Sequence, residues 1–216
     1  MSETPRKFSV PKHAFKFPAE VVAAVKRHVR HAISRVAPER YRQEANYTAA
    51  LLNQLEGTAY DGIHGSIVFQ STVFDDRGTG SAESLAGADH AITATISNGM
   101  TTVRKAILVQ AKLGELSRLD RRDLIFLREQ VLKMKRLVGA PKIMEILESN
   151  GQRFPRIVSA NSFFAHKPYV PMDLPEYFVA RVTTTLDGCT DRDVVAAVQD
   201  SALPQLNVIA KLRSKG

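Results

Sequence analysis

Apolar side chains recur every three or four residues between 19 and 36. Val21, Val22, Val25, Val29 and Ile33 share one side, while Lys26, Arg27, Arg30 and Arg35 fall on others. That spacing predicts an amphipathic helix with a basic flank. Pro38 ends it, because a proline further in would lose a hydrogen bond and clash with the preceding turn. A second helix is predicted from residue 38 or 39 to 56, with Tyr47, Leu51, Leu52 and Leu55 as its apolar stripe and Gly57 as its stop. The β-rich run 66–74 reads as a strand. Strands over 89–96 and 101–112 are joined by Ser97-Asn98-Gly99-Met100, and Asn-Gly between two such runs is a strong hairpin signal. A long helix over 117–138 places Leu124, Leu127, Val131, Met134 and Leu137 on one stripe. Short strands are expected at 143–147 and 156–160, and an irregular stretch at 161–176, where Pro168, Pro171 and Pro175 fall. A further strand is expected at 177–186, and a helix at 191–202 capped by Thr190 or Asp191.

Composition narrows the class. A chain of 216 residues with 44% hydrophobic content can bury one sizeable core. Residues 1–18 hold Pro5, Pro11 and Pro18 among Arg6, Lys7, Lys12 and Lys16 and read as a basic arm. Residues 19–216 read as a single domain. The net charge of +8 favours a polyanionic partner, although a basic surface also serves solubility alone. One cysteine, Cys189, excludes an internal disulfide and suits a reducing compartment. No apolar run approaches the ~20 residues of a membrane span, and the start lacks an apolar leader. A cytoplasmic protein without a membrane partner is therefore expected.

Candidate chemistry gathers at one place. Asp89 enters an apolar strand, and Gln110 and Lys112 end the next, after Ala106-Ile107-Leu108-Val109. Residues two apart in a strand share a face, so Gln110 and Lys112 project together. Polar groups ending so apolar a run are costly unless paired or wetted, which marks a site. The loop at 75–87, with Gly78, Gly80 and Gly87, is of the sort that lines sites, and Glu83 in it is a second acidic candidate.

Asp89, Gln110 and Lys112 resemble the core of the PD-(D/E)XK nuclease superfamily, in which an Asp on one strand and a Glu-x-Lys or Gln-x-Lys on the next hold a divalent cation. The Gln-x-Lys form is similar to the type IV restriction, Mrr-like branch and related antiphage nucleases. The resemblance spans about 40–165, the core of the single domain. It implies an α/β restriction-endonuclease-like fold with a mixed central sheet flanked by helices. It further implies an endonuclease that hydrolyses DNA with Mg²⁺ or Mn²⁺, in defence against foreign DNA. Asp89 would be the indispensable ligand, Gln110 a neutral carbonyl ligand, and the Ala111 backbone carbonyl a further oxygen. Glu44 matches the helical acid that often accompanies this core and would restore the missing negative charge. Lys112 would orient the attacking water or offset developing charge. Gln130 sits where related nucleases carry a polar residue towards substrate, and the resemblance also suggests a homodimer.

Lys26, Arg27 and Arg30 on the first helix, with Lys133 on the long one, are the candidates for gripping a nucleic-acid backbone without reading sequence. His28-x-x-His31 has helical spacing but no third ligand and reads as two exposed histidines. Gly78-Thr79-Gly80 lacks the Gly-Lys-Ser/Thr ending of a phosphate loop. Two rivals to catalysis remain open. One is a nuclease-fold protein, inactive because Gln110 replaces a carboxylate, that binds nucleic acid or a protein partner; the other is an effector awaiting a sensor or activator protein.

Overall fold

The computed structural model describes residues 15–73 and 86–213. Eight described strands form one mixed sheet with helices on both faces, an α/β architecture. In chain order the strands are β1 (Gly57–Gly62), β2 (Gly65–Thr72), β3 (His90–Ser97), β4 (Thr102–Leu113), β5 (Lys142–Ser149), β6 (Gln152–Ser159), β7 (Met172–Asp173) and β8 (Gln205–Leu212). Their spatial order is β1-β2-β8-β3-β4-β5-β6-β7.

Helices α1 (Ala19–Arg35) and α2 (Glu44–Leu55) cover one face. There Val21, Val25, Val29, Tyr47 and Leu51 pack on Ile107 and Val109 of β4 and Met144 of β5. Helices α3 (Arg121–Val138) and α6 (Arg192–Gln199) cover the other, where Leu127, Val131, Met134 and Val195 pack on Ala106, Leu108 and Ile143. Between α3 and α6 lie α4 (Ala160–Phe164) and α5 (Leu174–Tyr177), the latter continued by a π-helical turn, Phe178–Val182. Odd and even residues of β4 thus serve different layers, as strand alternation requires.

Several sequence expectations need correction. The second helix begins at Glu44, not at 38 or 39. Pro38–Arg40 makes only a 3₁₀ turn, and the Arg153 guanidinium takes the Tyr41 carbonyl at 2.5 Å while Gln43 stays extended. The long helix begins at Arg121 because the Asp120 carboxylate caps it, accepting from the Asp123 N–H. On that helix Val138 is buried and Leu137 exposed, the reverse of the expected stripe end. The segment 177–186 is not a strand: Leu174, Tyr177, Phe178 and Val182 are buried at helical intervals of three and four, and the chain coils to match. Three described strands, β1, β7 and β8, fall where no strand is expected. β1 is a bulged, half-exposed edge strand, and β8 lies outside the 40–165 core yet sits mid-sheet, antiparallel to β2 and parallel to β3. Within 161–176, α4 and β7 interrupt the irregular path. Phe15, assigned to the arm, is buried among the α1 and α2 contacts.

The Asn98-Gly99 turn forms as expected, with φ of +86° at Gly99 and the Asn98 side chain accepting from Met100 and Thr101. β4 leads through α3 into the parallel strand β5, with Lys112 opposite Glu145. Among the described residues no helix is long and apolar enough to cross a membrane.

Candidate active site

β4 outruns β3. The last pair of that ladder is His90 with Val109, so the N–H groups of Ala111 and Leu113, which point towards β3, have no strand to bond. Two carboxylates take them. Asp89 Oδ2 accepts from the Ala111 N–H at 2.5 Å, and Glu44 Oε1, from the first turn of α2, accepts from the Leu113 N–H at 3.0 Å. Each carboxylate also receives a side chain of β4. Gln110 Nε2 donates to Asp89 Oδ2 at 2.6 Å, and Lys112 Nζ donates to Glu44 Oε2 at 3.1 Å. Glu44, Asp89, Gln110 and Lys112 are therefore brought to the final four residues of one strand, as two adjoining pairs.

The two pairs differ in exposure. Gln110 is 1% and Asp89 9% exposed, whereas Lys112 and Glu44 are half-buried. With its amide nitrogen on Asp89, and 3.3 Å from the Ala111 carbonyl, Gln110 leaves its own carbonyl oxygen Oε1 buried and without a hydrogen-bond partner. A native fold rarely leaves such an atom unpaired, because its desolvation is uncompensated. Among the described residues no three His, Cys, Asp or Glu side chains cluster as a metal site. The donors that fit a hard cation are instead mixed in type: the Asp89 carboxylate, the orphaned Gln110 carbonyl and the Ala111 main-chain carbonyl. Glu44 is already shared between Lys112 and Leu113.

Neighbouring residues frame this corner. His90 projects to the opposite face from Asp89, and burial pushes its pKa down to about 4, so near neutrality it offers Asp89 no positive charge. Gln130 of α3 is half-buried, its Oε1 also lacks a partner, and its main chain presses on Gly87, two residues before Asp89. Glu145 was overlooked. It lies beside Lys112 on β5, is 4% exposed, and holds the Leu116 N–H at 2.8 Å and Arg156 at 2.7 Å. An acid inside Ile143-Met144-Glu145-Ile146-Leu147 was the available signal. A groove of about 1030 Å³ opens past the ends of β4 and β5, lined by Glu115, Asp120 and Asp123 with Arg118, Arg153 and Arg156. Asp89 and Gln110 do not line it.

Other candidates lie apart. Lys26, Arg27 and Arg30 are on α1, in the layer opposite α3, and Lys26 is ion-paired with Glu176. Lys133 is exposed on α3. His28 is not an exposed histidine: it stacks on Phe69 and its Nε2 meets the Leu55 carbonyl at 2.7 Å. Cys189 is half-buried and its backbone pairs with Ala106. Glu83 and the Gly78-Thr79-Gly80 loop lie outside the described residues.

Comparison of the chain with protein-family models, with curated proteins and with solved structures yields no match.

Proposed function

We propose that the protein is a metal-dependent nuclease of the restriction-endonuclease-like type, acting on DNA in defence against foreign genomes. The observation that carries this reading is the orphaned Gln110 carbonyl oxygen beside the Asp89 carboxylate, two residues from Lys112 and its Glu44 partner. A carboxylate, an amide carbonyl and a main-chain carbonyl form the mixed oxygen set that Mg²⁺ or Mn²⁺ accepts, with water completing its shell. When bound, the cation would supply an activated water and neutralise charge on phosphoryl oxygens. Asp89 and Gln110 would hold it. Glu44 positions Lys112, whose Nζ keeps donor capacity beyond its bond to Glu44 and can give a hydrogen bond to a phosphoryl oxygen or orient the attacking water.

A second reading rests on a different observation. The same two carboxylates satisfy the N–H groups that β4 leaves bare, a structural duty that needs no metal, and the groove beyond the strand ends does not reach Asp89. In that case the chain is a non-catalytic member of the fold that binds nucleic acid or a protein partner.

Metal titration and cleavage assays decide between them. The nuclease reading expects Mn²⁺ or Mg²⁺ to bind and to drive hydrolysis of duplex DNA. Asp89→Asn should lose both binding and cleavage, and Lys112→Ala should lose cleavage while still binding metal. Wild-type protein that binds DNA but takes up neither cation would establish the second reading.

A further inference from the structure

We infer that the outer face of α3 is a docking surface for a partner protein whose own surface is acidic and studded with apolar side chains. Four large hydrophobic residues of this one helix stand well into solvent: Ile125 at 51%, Phe126 at 52%, Leu132 at 50% and Leu137 at 43% exposure. The inner face is already filled by Leu127, Val131, Met134 and Val138, so the outer set has no part in the core. Scattered single apolar residues need no explanation, but four on one helix, set in two lines, are more than chance exposure and mark this face for a partner.

Their arrangement narrows the occupant. Ile125 and Leu132, seven residues apart, lie on one line along the helix. Phe126 and Leu137, eleven apart, lie on a second, roughly 120° around from the first at 3.6 residues per turn. Between them runs a charged crest of Arg122, Glu129 and Arg136, and Arg122 rests over the Phe126 ring. Exposed Arg121 and Arg128 add to it, so this face carries a net positive charge. A helix lying on a bilayer needs one continuous apolar face with its charges on the other side, and here insertion of both apolar lines would drag the crest into hydrocarbon. A second copy fits no better, since antiparallel packing of two α3 helices about Glu129 sets Arg122 against Arg136. Bare phosphates would answer the arginines but leave four apolar residues and Glu129 without partners. An acidic protein surface with apolar knobs answers both elements, giving charge complementarity along the crest and burial along its flanks. The surface adjoins the candidate site, because the main chain of Gln130 on this helix presses against Gly87, two residues before Asp89.

A fluorescently labelled synthetic helix of Leu and Glu is the probe, titrated into the full chain and followed by anisotropy. Controls are the same helix with Lys for Glu, the same helix with Ser for Leu, a DNA duplex, and phosphatidylserine vesicles. The Leu/Glu helix should bind best. Each of three double substitutions, Ile125→Ser with Leu132→Ser, Phe126→Ser with Leu137→Ser, and Arg122→Ser with Arg136→Ser, should weaken it at least about tenfold. All six positions carry solvent-facing side chains, and unchanged melting of each variant would show that the fold is kept. Equal binding of the Lys helix, or binding indifferent to all three double variants, would overturn the inference. So would variants that instead abolish vesicle or duplex binding, or that dissolve a self-associated species in sedimentation.

Discussion

Replacing Gln110 by Glu tests whether this corner is built for a cation, independently of any cleavage assay. The new carboxylate would meet Asp89 where an N–H···O bond of 2.6 Å now stands, at a position 1% exposed. A charge-assisted bond worth about 1.5–3 kcal/mol is lost, and two like charges ~4 Å apart at an effective dielectric of ~20 repel by about 4 kcal/mol. The pair can escape by keeping one proton. At pH 7 this costs about (7 − 4.3) × 1.36, or ~3.7 kcal/mol, relative to an unfolded glutamate. The smaller term governs, so Gln110→Glu should lose about 3–4 kcal/mol at pH 7 in chelator. That deficit should shrink by about 1.4 kcal/mol for each unit of pH lowered towards 5, since the proton is then held at less cost. A cation placed between the two carboxylates removes the need for the proton. Mn²⁺ at a hundred times its dissociation constant should restore about 2.7 kcal/mol, more than it adds to wild type. The assay is urea denaturation in chelator and in saturating Mn²⁺. Identical midpoints for the variant in the two buffers would refute a cation site at Asp89 and Gln110.

Other perturbations probe the frame around the site. His90 is buried with its pKa lowered from 6.5 to about 4, so the unfolded chain binds the proton first and stability should fall as pH drops from 6.5 to 4. The loss is about 3 kcal/mol, and His90→Leu should flatten that part of the pH–stability curve; an unchanged slope would contradict it. Lys105 is fully buried on β4, and its ammonium donates to the carbonyls of Arg181, Thr184 and Asp187 at 2.6, 2.5 and 2.7 Å. Lys105→Met should cost about 2–5 kcal/mol in guanidinium unfolding, because three acceptors lose their donor; an unmoved midpoint would show that the cage is dispensable. Gly87 has φ of +72°, and an added Cβ would come within 2.4 Å of the Gln130 carbonyl oxygen. Gly139 has a similar φ of +68° with nothing within 4 Å. Gly87→Ala should therefore destabilise by about 2 kcal/mol more than Gly139→Ala, and equal losses would mean that α3 yields freely.

Much of the architecture follows from local pattern. The 3.6-residue recurrence of Val21, Val25 and Val29 sets α1 and its buried face, and that of Leu127, Val131 and Met134 does the same for α3. Asn98-Gly99 sets the hairpin, and strand alternation alone places Gln110 and Lys112 on one side of β4. What local pattern could not convey is how strand lengths and layers meet. β8 lies mid-sheet only because β2 and β3 leave room between them, and nothing within 205–212 states which strands will flank it. The helical turn at Phe178–Val182 answers to burial against α1 and to Lys105, a residue about 75 positions earlier in the chain. The pairing of Glu44 with Lys112 arises because β4 runs past the end of β3, and the Leu113 N–H bared there is taken by a carboxylate that the helical layer carries to it. Side-chain periodicity is a property of neighbours along the chain, whereas the satisfaction of a bare backbone group depends on what the whole fold carries to it.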